Sequence, residues 1–195
     1  TNSRELAEKM QLFRSHGGTR NPDLMTKESE GGWYYQQVAL GFNYRMTELQ
    51  AALGISQMQR LDEFVAKRHI LQKKYDLLLE DLPIIKPYQD KDSYSALHLY
   101  PIQIDLNSTK KSRKQVFNEL RKKNISVNVH YIPIYSHPYY EKFDFSNEIL
   151  PIAENYYNRA ISIPLFSIMT SLQQNTVEQA LLSIFKLNNK SETIL

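Results

Sequence analysis

Three stretches of this chain combine polar groups with aromatic rings at spacings that could do chemistry. In Gly41-Phe42-Asn43-Tyr44-Arg45 a carboxamide and a guanidinium stand just ahead of a helix start. Backbone donors and the helix dipole favour an anion at such a place, and an amide beside a guanidinium suits a phosphate. The same two residues would also serve a plain turn, with Asn43 satisfying backbone groups and the Arg45 stem covering apolar surface. In the second stretch, Val129-His130-Tyr131-Ile132-Pro133-Ile134-Tyr135, a strand empties into an aromatic loop. His130 there could act as an acid, a base or a hydrogen-bond donor to a ligand, or sit at the surface with no such role. The third, Phe13-Arg14-Ser15-His16-Gly17-Gly18, reads on its own only as a helix end.

Other chemistries leave no trace. No G-x-G-x-x-G, P-loop or G-x-S-x-G pattern occurs. No closely spaced set of histidines and carboxylates suggests a metal site. Cysteine is absent, which excludes a disulfide framework and any thiolate site and fits a reducing compartment.

The elements that must position these stretches follow from local signals. Ser3 caps a helix with Leu6, Met10 and Phe13 on one side and His16-Gly17-Gly18 as its stop. Residues 17–40 hold four of the six glycines and the cluster Trp33-Tyr34-Tyr35 with no sustained period, so a binding or lid segment, or else a disordered one, is expected there. Thr47 and Gln50 form a capping box. From Leu49 to Leu78 the apolar spacing predicts one helix of up to about nine turns, with Gly54 marking close approach of another backbone. His98 to Ile104 reads as a strand whose Pro101 belongs at an edge or bulge. A helix is expected from Ser108 or Thr109 to about Lys123, with Val116, Phe117 and Leu120 inward. Ile125 to His130 alternates as a strand, completing a split or crossover β-α-β unit. Pro151 opens a helix leading to a short strand at Ile161, and Thr170 or Ser171 opens a last helix to about Leu187.

Composition narrows the class. With 195 residues, 42% of them hydrophobic, the chain can bury a core, and a disordered chain is unexpected. The net charge of +3 arises from 24 basic and 21 acidic residues that are mixed along most of the sequence. The densest basic run, Lys110 to Lys123, reads as one solvated helix face rather than a nucleic-acid surface. No run of about 18 apolar residues and no leader-like segment is present, so a cytoplasmic protein without a membrane span is expected.

Taken together, "TNSRELAEKMQLFRSHG", "LGFNYRMTELQAALGISQMQRLDEFVAKR", "HLYPIQI" and "VNVHYIPIYSHPYY" occur in an order and spacing that resembles the DegT/DnrJ/EryC1/StrS family. These are pyridoxal 5′-phosphate (PLP) dependent nucleotide-sugar aminotransferases. The resemblance implies an α/β chain, the C-terminal part of an aspartate-aminotransferase-like (type I) PLP fold. Residues 1–45 would be the end of the large PLP-binding domain, 46–82 a long connecting helix, 83–188 a small α/β domain and 189–195 a frayed tail. It implies a homodimer in which Asn43 reaches the PLP phosphate of the neighbouring subunit, while Arg45, His130, Tyr131 and His16 approach the substrate. "HLYPI" and "VHYIPIY" resemble the members that serve pseudaminic acid biosynthesis. Their substrate is a UDP-linked 4-keto-6-deoxy-N-acetylhexosamine, with glutamate as amino donor. A sibling acting on another keto sugar is the enzyme alternative, and a catalytically dead dimerisation or binding module is the alternative outside enzymes.

The chain departs from the family pattern in one respect. The family's Schiff-base lysine lies in a segment resembling S-F-H-x-x-K ahead of the part that matches Thr1, and this sequence has no such segment. No catalytic residue is therefore assigned, and the chain, which starts Thr1-Asn2-Ser3 without Met, is expected to be a C-terminal half that cannot transaminate alone.

Overall fold

The computed structural model describes residues 1–143 and 150–185, in two compact units, Thr1–Arg60 and Leu61–Leu195. The expected tail, 189–195, and the last turn of the final helix lie outside the described residues.

In unit 1, helix α1 (Arg4–Phe13) starts where the Ser3 hydroxyl accepts from the Leu6 amide. It stops as expected: His16 and Gly17 both take positive φ, 62° and 70°, and the Gly17 amide returns to the Leu12 carbonyl at 3.0 Å. Strands β1 (Gly18–Thr19) and β2 (Gln36–Gln37) then pair antiparallel. The segment between them is tied down by the Gln36 side chain, which accepts from the Thr26 amide at 2.8 Å and donates to the Lys27 carbonyl at 2.7 Å. Helix α2 (Glu48–Met58) opens with the Thr47–Gln50 capping box.

The single helix expected over 46–82 is observed as two. After α2 the Arg60 amide bonds three residues back to Gln57, closing a tight turn, and α3 (Leu61–Leu78) begins with Asp62 and Glu63 in its first turn, where the dipole favours carboxylates. The units divide there, between Arg60 and Leu61. Beyond its own helix, no atom among the described residues comes within 4 Å of a Cβ placed on Gly54, so no close approach of another backbone is seen there among those residues.

Unit 2 is built on an antiparallel sheet in the order β3 (Ile84–Ile85), β4 (Tyr100–Ile104), β5 (Ala160–Ile163). β4 is the middle strand, against the expectation that Pro101 puts it at an edge. Register explains the exception. Pro101 sits opposite Ser162, but both backbone groups of Ser162 bond away from β4, to Asn128. The side of Pro101 that lacks a donor therefore faces β3, which pairs only with Gln103 and Ile104 and ends before reaching it.

Helix α4 (Arg113–Lys122) starts later than expected. Asp105 draws Asn107, Ser108 and Thr109 into a turn, and Ser112 forms the capping box with Gln115 instead. Ile125 and Val127 point inward as their alternation predicts, yet the segment joins the sheet through a single bridge, Asn128 to Ser162. β4, α4 and this segment form a split β-α-β, with β5 between its two arms. Short α5 (Pro138–Glu141) and α6 (Pro151–Arg159) precede β5, and α7 (Ser171–Phe185) closes the unit from a Thr170 cap.

The core gathers Tyr75 and Leu79, Ile102 and Ile104, Val116 and Leu120, and Leu181 and Ile184 with Ile161. Among its polar members, Gln174 donates to the Leu71 carbonyl while its Oε1 meets no partner among the described residues, and Tyr100 donates to Asp76 at 2.5 Å. Burial, then the Asp76 carboxylate, pushes the Tyr100 phenol well above its ordinary range. Every residue of this core lies in unit 2. In unit 1 large apolar side chains stay open, with Leu49 85% exposed. No described helix is long and apolar enough to cross a membrane.

Candidate functional site

The five residues singled out from sequence fall into two groups, one in each unit. His16, Asn43 and Arg45 belong to unit 1, where two backbone stretches are zipped together. The Phe42 amide donates to Phe13, the His16 amide to Phe42 and the Tyr44 amide to Arg14, at 2.7 to 2.9 Å. Ser15 and Asn43 form the bridge between them. The zipper demands glycine at two places. A Cβ on Gly17 would stand 1.9 Å from the Ala39 carbonyl oxygen, and one on Gly41 would stand 2.3 Å from the Gly17 nitrogen.

This fixes the side chains that follow. Arg45 Nε donates to Asn43 Oδ1 at 3.2 Å, which leaves the carboxamide NH2 as the end of Asn43 that can donate to something else. A cavity of about 570 Å³ is lined by Ser15, His16, Arg20, Tyr35, Gln37 and Arg45 among others. No carboxylate is among its lining residues, and neither arginine forms a salt bridge among the described residues. The lining is thus cationic and donor-rich, as an anion requires. Arg20 was not legible as a site residue, and Tyr35 stood out only as part of the aromatic cluster in the 17–40 segment. Only the crossing of β1 and β2, which pairs Gly18 with Gln37, brings them to the cavity.

His130 and Tyr131 belong to unit 2, at the mouth of the split β-α-β. His130 is half-buried and both its ring nitrogens are engaged: Nδ1 meets the Ser162 hydroxyl at 2.8 Å and Nε2 meets Asn128 Nδ2 at 3.3 Å. Tyr131 is 72% exposed and lies edge-on to the His130 ring. Further along the loop, Tyr135 bonds Glu154. Partial desolvation, then that carboxylate, raises the Tyr135 phenol above its ordinary value. Three cations of the 110–123 run are used within the fold. Lys111 pairs with Glu119, Arg113 stacks over Tyr157 at 4.3 Å, and Arg121 reaches Ser126.

The donor set fits the phosphate of PLP. Asn43 Nδ2 and the Arg45 guanidinium are hydrogen-bond donors beside the N-terminus of α2, although Glu48 in the first turn offsets part of the dipole's attraction. No lysine lines this cavity.

The DegT/DnrJ/EryC1/StrS aminotransferase family matches residues 1–182. The spore coat polysaccharide biosynthesis protein SpsC of Bacillus subtilis is 34% identical over 189 residues, 95% of this chain and 48% of that protein. The UDP-4-amino-4,6-dideoxy-N-acetyl-beta-L-altrosamine transaminase of Helicobacter pylori is 32% identical over 188 residues, 95% of this chain and 47% of that one. Among solved structures, Helicobacter pylori PseC, an aminotransferase involved in the biosynthesis of pseudoaminic acid, superposes with a TM-score of 0.82. It shares 30% identity, over 95% of this chain and 47% of its own. The chain spans about half the length of the curated relatives it matches.

Proposed function

The chain belongs to the DegT/DnrJ/EryC1/StrS aminotransferase family, and from that premise we propose that it is the C-terminal portion of a PLP-dependent nucleotide-sugar aminotransferase. The substrate of the whole enzyme is a UDP-linked 4-keto-6-deoxy-N-acetylhexosamine, converted to its 4-amino sugar with glutamate as donor, in a cytoplasmic homodimer of the pseudaminic acid pathway. The observation that carries this reading is the likeness to the Helicobacter pylori aminotransferase, in fold and at 30% identity together. In unit 1, Asn43 Nδ2 donates to the phosphate of the PLP held by the neighbouring subunit, and Arg45 approaches the sugar nucleotide. His16 and Arg20 line the same cavity as Arg45, and Tyr131 on its loop meets the sugar nucleotide. PLP, when bound, supplies the electron sink that lets an amino group pass between donor and keto sugar. The covalent lysine comes from outside this chain, which alone does not transaminate.

A second reading has an observation of its own. The spore coat protein is as similar as the altrosamine transaminase, at 34% against 32%, which favours a sibling acting on a different keto sugar. The test joins this chain to the N-terminal half of the Helicobacter pylori transaminase. PLP and ¹⁵N-glutamate are added, and a panel of UDP- and dTDP-linked keto sugars is scored for ¹⁵N incorporation. Labelling of the UDP-4-keto-6-deoxy-N-acetylhexosamine alone supports the first reading, labelling of another sugar moves the assignment to the sibling, and a folded, PLP-loaded protein that labels none contradicts both.

A further inference from the structure

The loop that carries His130 and Tyr131 rests on a part of the sheet that the sequence does not mark. Ser162, 6% exposed on β5, exchanges both backbone bonds with Asn128, at 2.8 and 3.2 Å. The Asn128 carboxamide is oriented from its own strand, since the Val129 amide donates to its Oδ1 at 2.8 Å. Its NH2 is therefore the end that meets His130 Nε2. An amide NH2 only donates, so Nε2 accepts and the ring proton sits on Nδ1, where it is donated to the Ser162 hydroxyl. His130 has no hydrogen-bonding atom left for a ligand.

We propose that Ser162 and Asn128 are positioning residues that lock His130 as its Nδ1–H tautomer. The locked ring then acts as a buttress, setting the direction of Tyr131, which alone of the pair faces the ligand. The ring centroids are 4.6 Å apart at an interplanar angle of 73°, an edge contact that a rotated imidazole would lose. The lock rests on unit 2 geometry alone. The ligand, a uridine diphosphate group approached by the Tyr131 hydroxyl, rests on the function proposed above.

The test uses the 195-residue chain labelled with ¹⁵N-histidine, read by two-bond proton–nitrogen correlation at about pH 8.5, above the ordinary imidazole range. His130 should carry its proton on Nδ1. His69 is the internal contrast, because its Nε2 lies 2.8 Å from the Ser95 carbonyl and must donate to it. Ser162→Ala removes the acceptor of the Nδ1 proton and should free the ring to turn away from Asn128, admitting the Nε2–H form and weakening its contacts to the Tyr131 ring, and Ser162→Thr, which keeps the hydroxyl, should restore both. Titration with UDP should move Tyr131 signals while the His130 nitrogens stay still, with affinity about 10-fold weaker in Ser162→Ala. An Nε2 proton on His130 in the unmodified chain overturns the lock, as does a Ser162→Ala chain with unchanged tautomer and ring contacts. His130 nitrogens that shift with UDP overturn its role as a buttress. UDP that moves neither residue overturns Tyr131 as the ligand-facing group together with the nucleotide reading, and the lock is then judged by the tautomer spectrum alone.

Discussion

The Tyr75 hydroxyl donates to the Pro164 carbonyl at 3.0 Å, across 89 residues of sequence. This bond ties helix α3 to the chain just beyond β5, the strand that holds Ser162 beneath His130. Tyr75 is fully buried and Pro164 half-buried, so Tyr75→Phe leaves a carbonyl short of its donor and should lower the stability of unit 2 by about 1 kcal/mol. Urea unfolding checks it: the midpoint should fall with the slope unchanged.

Glu178 gives a pH dependence. It lies nearly buried on α7, and burial raises its carboxyl above the ordinary value, against smaller opposing effects from Lys74 and Gln179. A carboxyl with a raised folded-state pKa favours folding while protonated and loses that contribution as pH rises through the folded pKa. Glu178→Gln should therefore raise the melting temperature at neutral pH. The gain should vanish below about pH 4, where the wild-type carboxyl is also neutral. A gain that persists at low pH would assign the effect to packing instead.

Unit 1 has ordered backbone hydrogen bonds but contributes nothing to the buried core. Leu40, Leu49, Leu53, Ile55 and Met58 are open to water. Backbone hydrogen bonds alone do not offset the entropy of ordering a segment, and an apolar surface of this extent is built to be covered. In the isolated chain, amides of the core elements around Leu71–Leu79, Tyr100–Ile104, Val116–Leu120, Ala160–Ile163 and Val177–Ile184 should exchange slowly and those of residues 4–58 at least about 100-fold faster, at the low-stability end of the molecule. The chain should also self-associate. Slow exchange throughout α2 in a monomer would contradict this.

How much of this was legible in sequence depended on how local each signal is. Ser3 and Thr47 with Gln50 announced their helices because a cap is satisfied within three residues, and of the two candidates Thr170 and Ser171 it is Thr170 that accepts from the Gln173 amide. The start of α4 was misplaced because Ser108 and Ser112 both look like caps, and Asp105 decides between them by holding Ser108 in a turn. The break at Arg60 carries neither proline nor glycine. Pro101 in a middle strand depends on where β3 ends, a matter of register rather than of the residue's neighbours. The site divided in the same way. Asn43 and Arg45 stood out through residue type beside a helix start, whereas Arg20, Asn128 and Ser162 acquire their places only through pairing across the fold.

Asn43 and Arg45 can be separated by substitution in the completed, two-half protein. Asn43→Ala removes a donor to phosphate and should weaken PLP retention about 10- to 100-fold, as expected for a hydrogen bond to a charged group. Arg45→Lys, which keeps charge but loses the fork, should chiefly raise KM for the sugar nucleotide. PLP release rates and steady-state kinetics would distinguish the two, and equal effects of both substitutions on PLP retention would remove the division of labour.

The central claim is that this chain supplies the phosphate and sugar sides of an aminotransferase site and not its covalent lysine. The most direct measurement is to incubate the 195-residue chain with PLP, reduce with borohydride and map any pyridoxyl-lysine by mass spectrometry, beside the two-half protein treated alike. The account predicts stoichiometric label on one lysine of the added half and only scattered, substoichiometric label on the chain alone. One-to-one labelling of a single lysine in the isolated chain would contradict it.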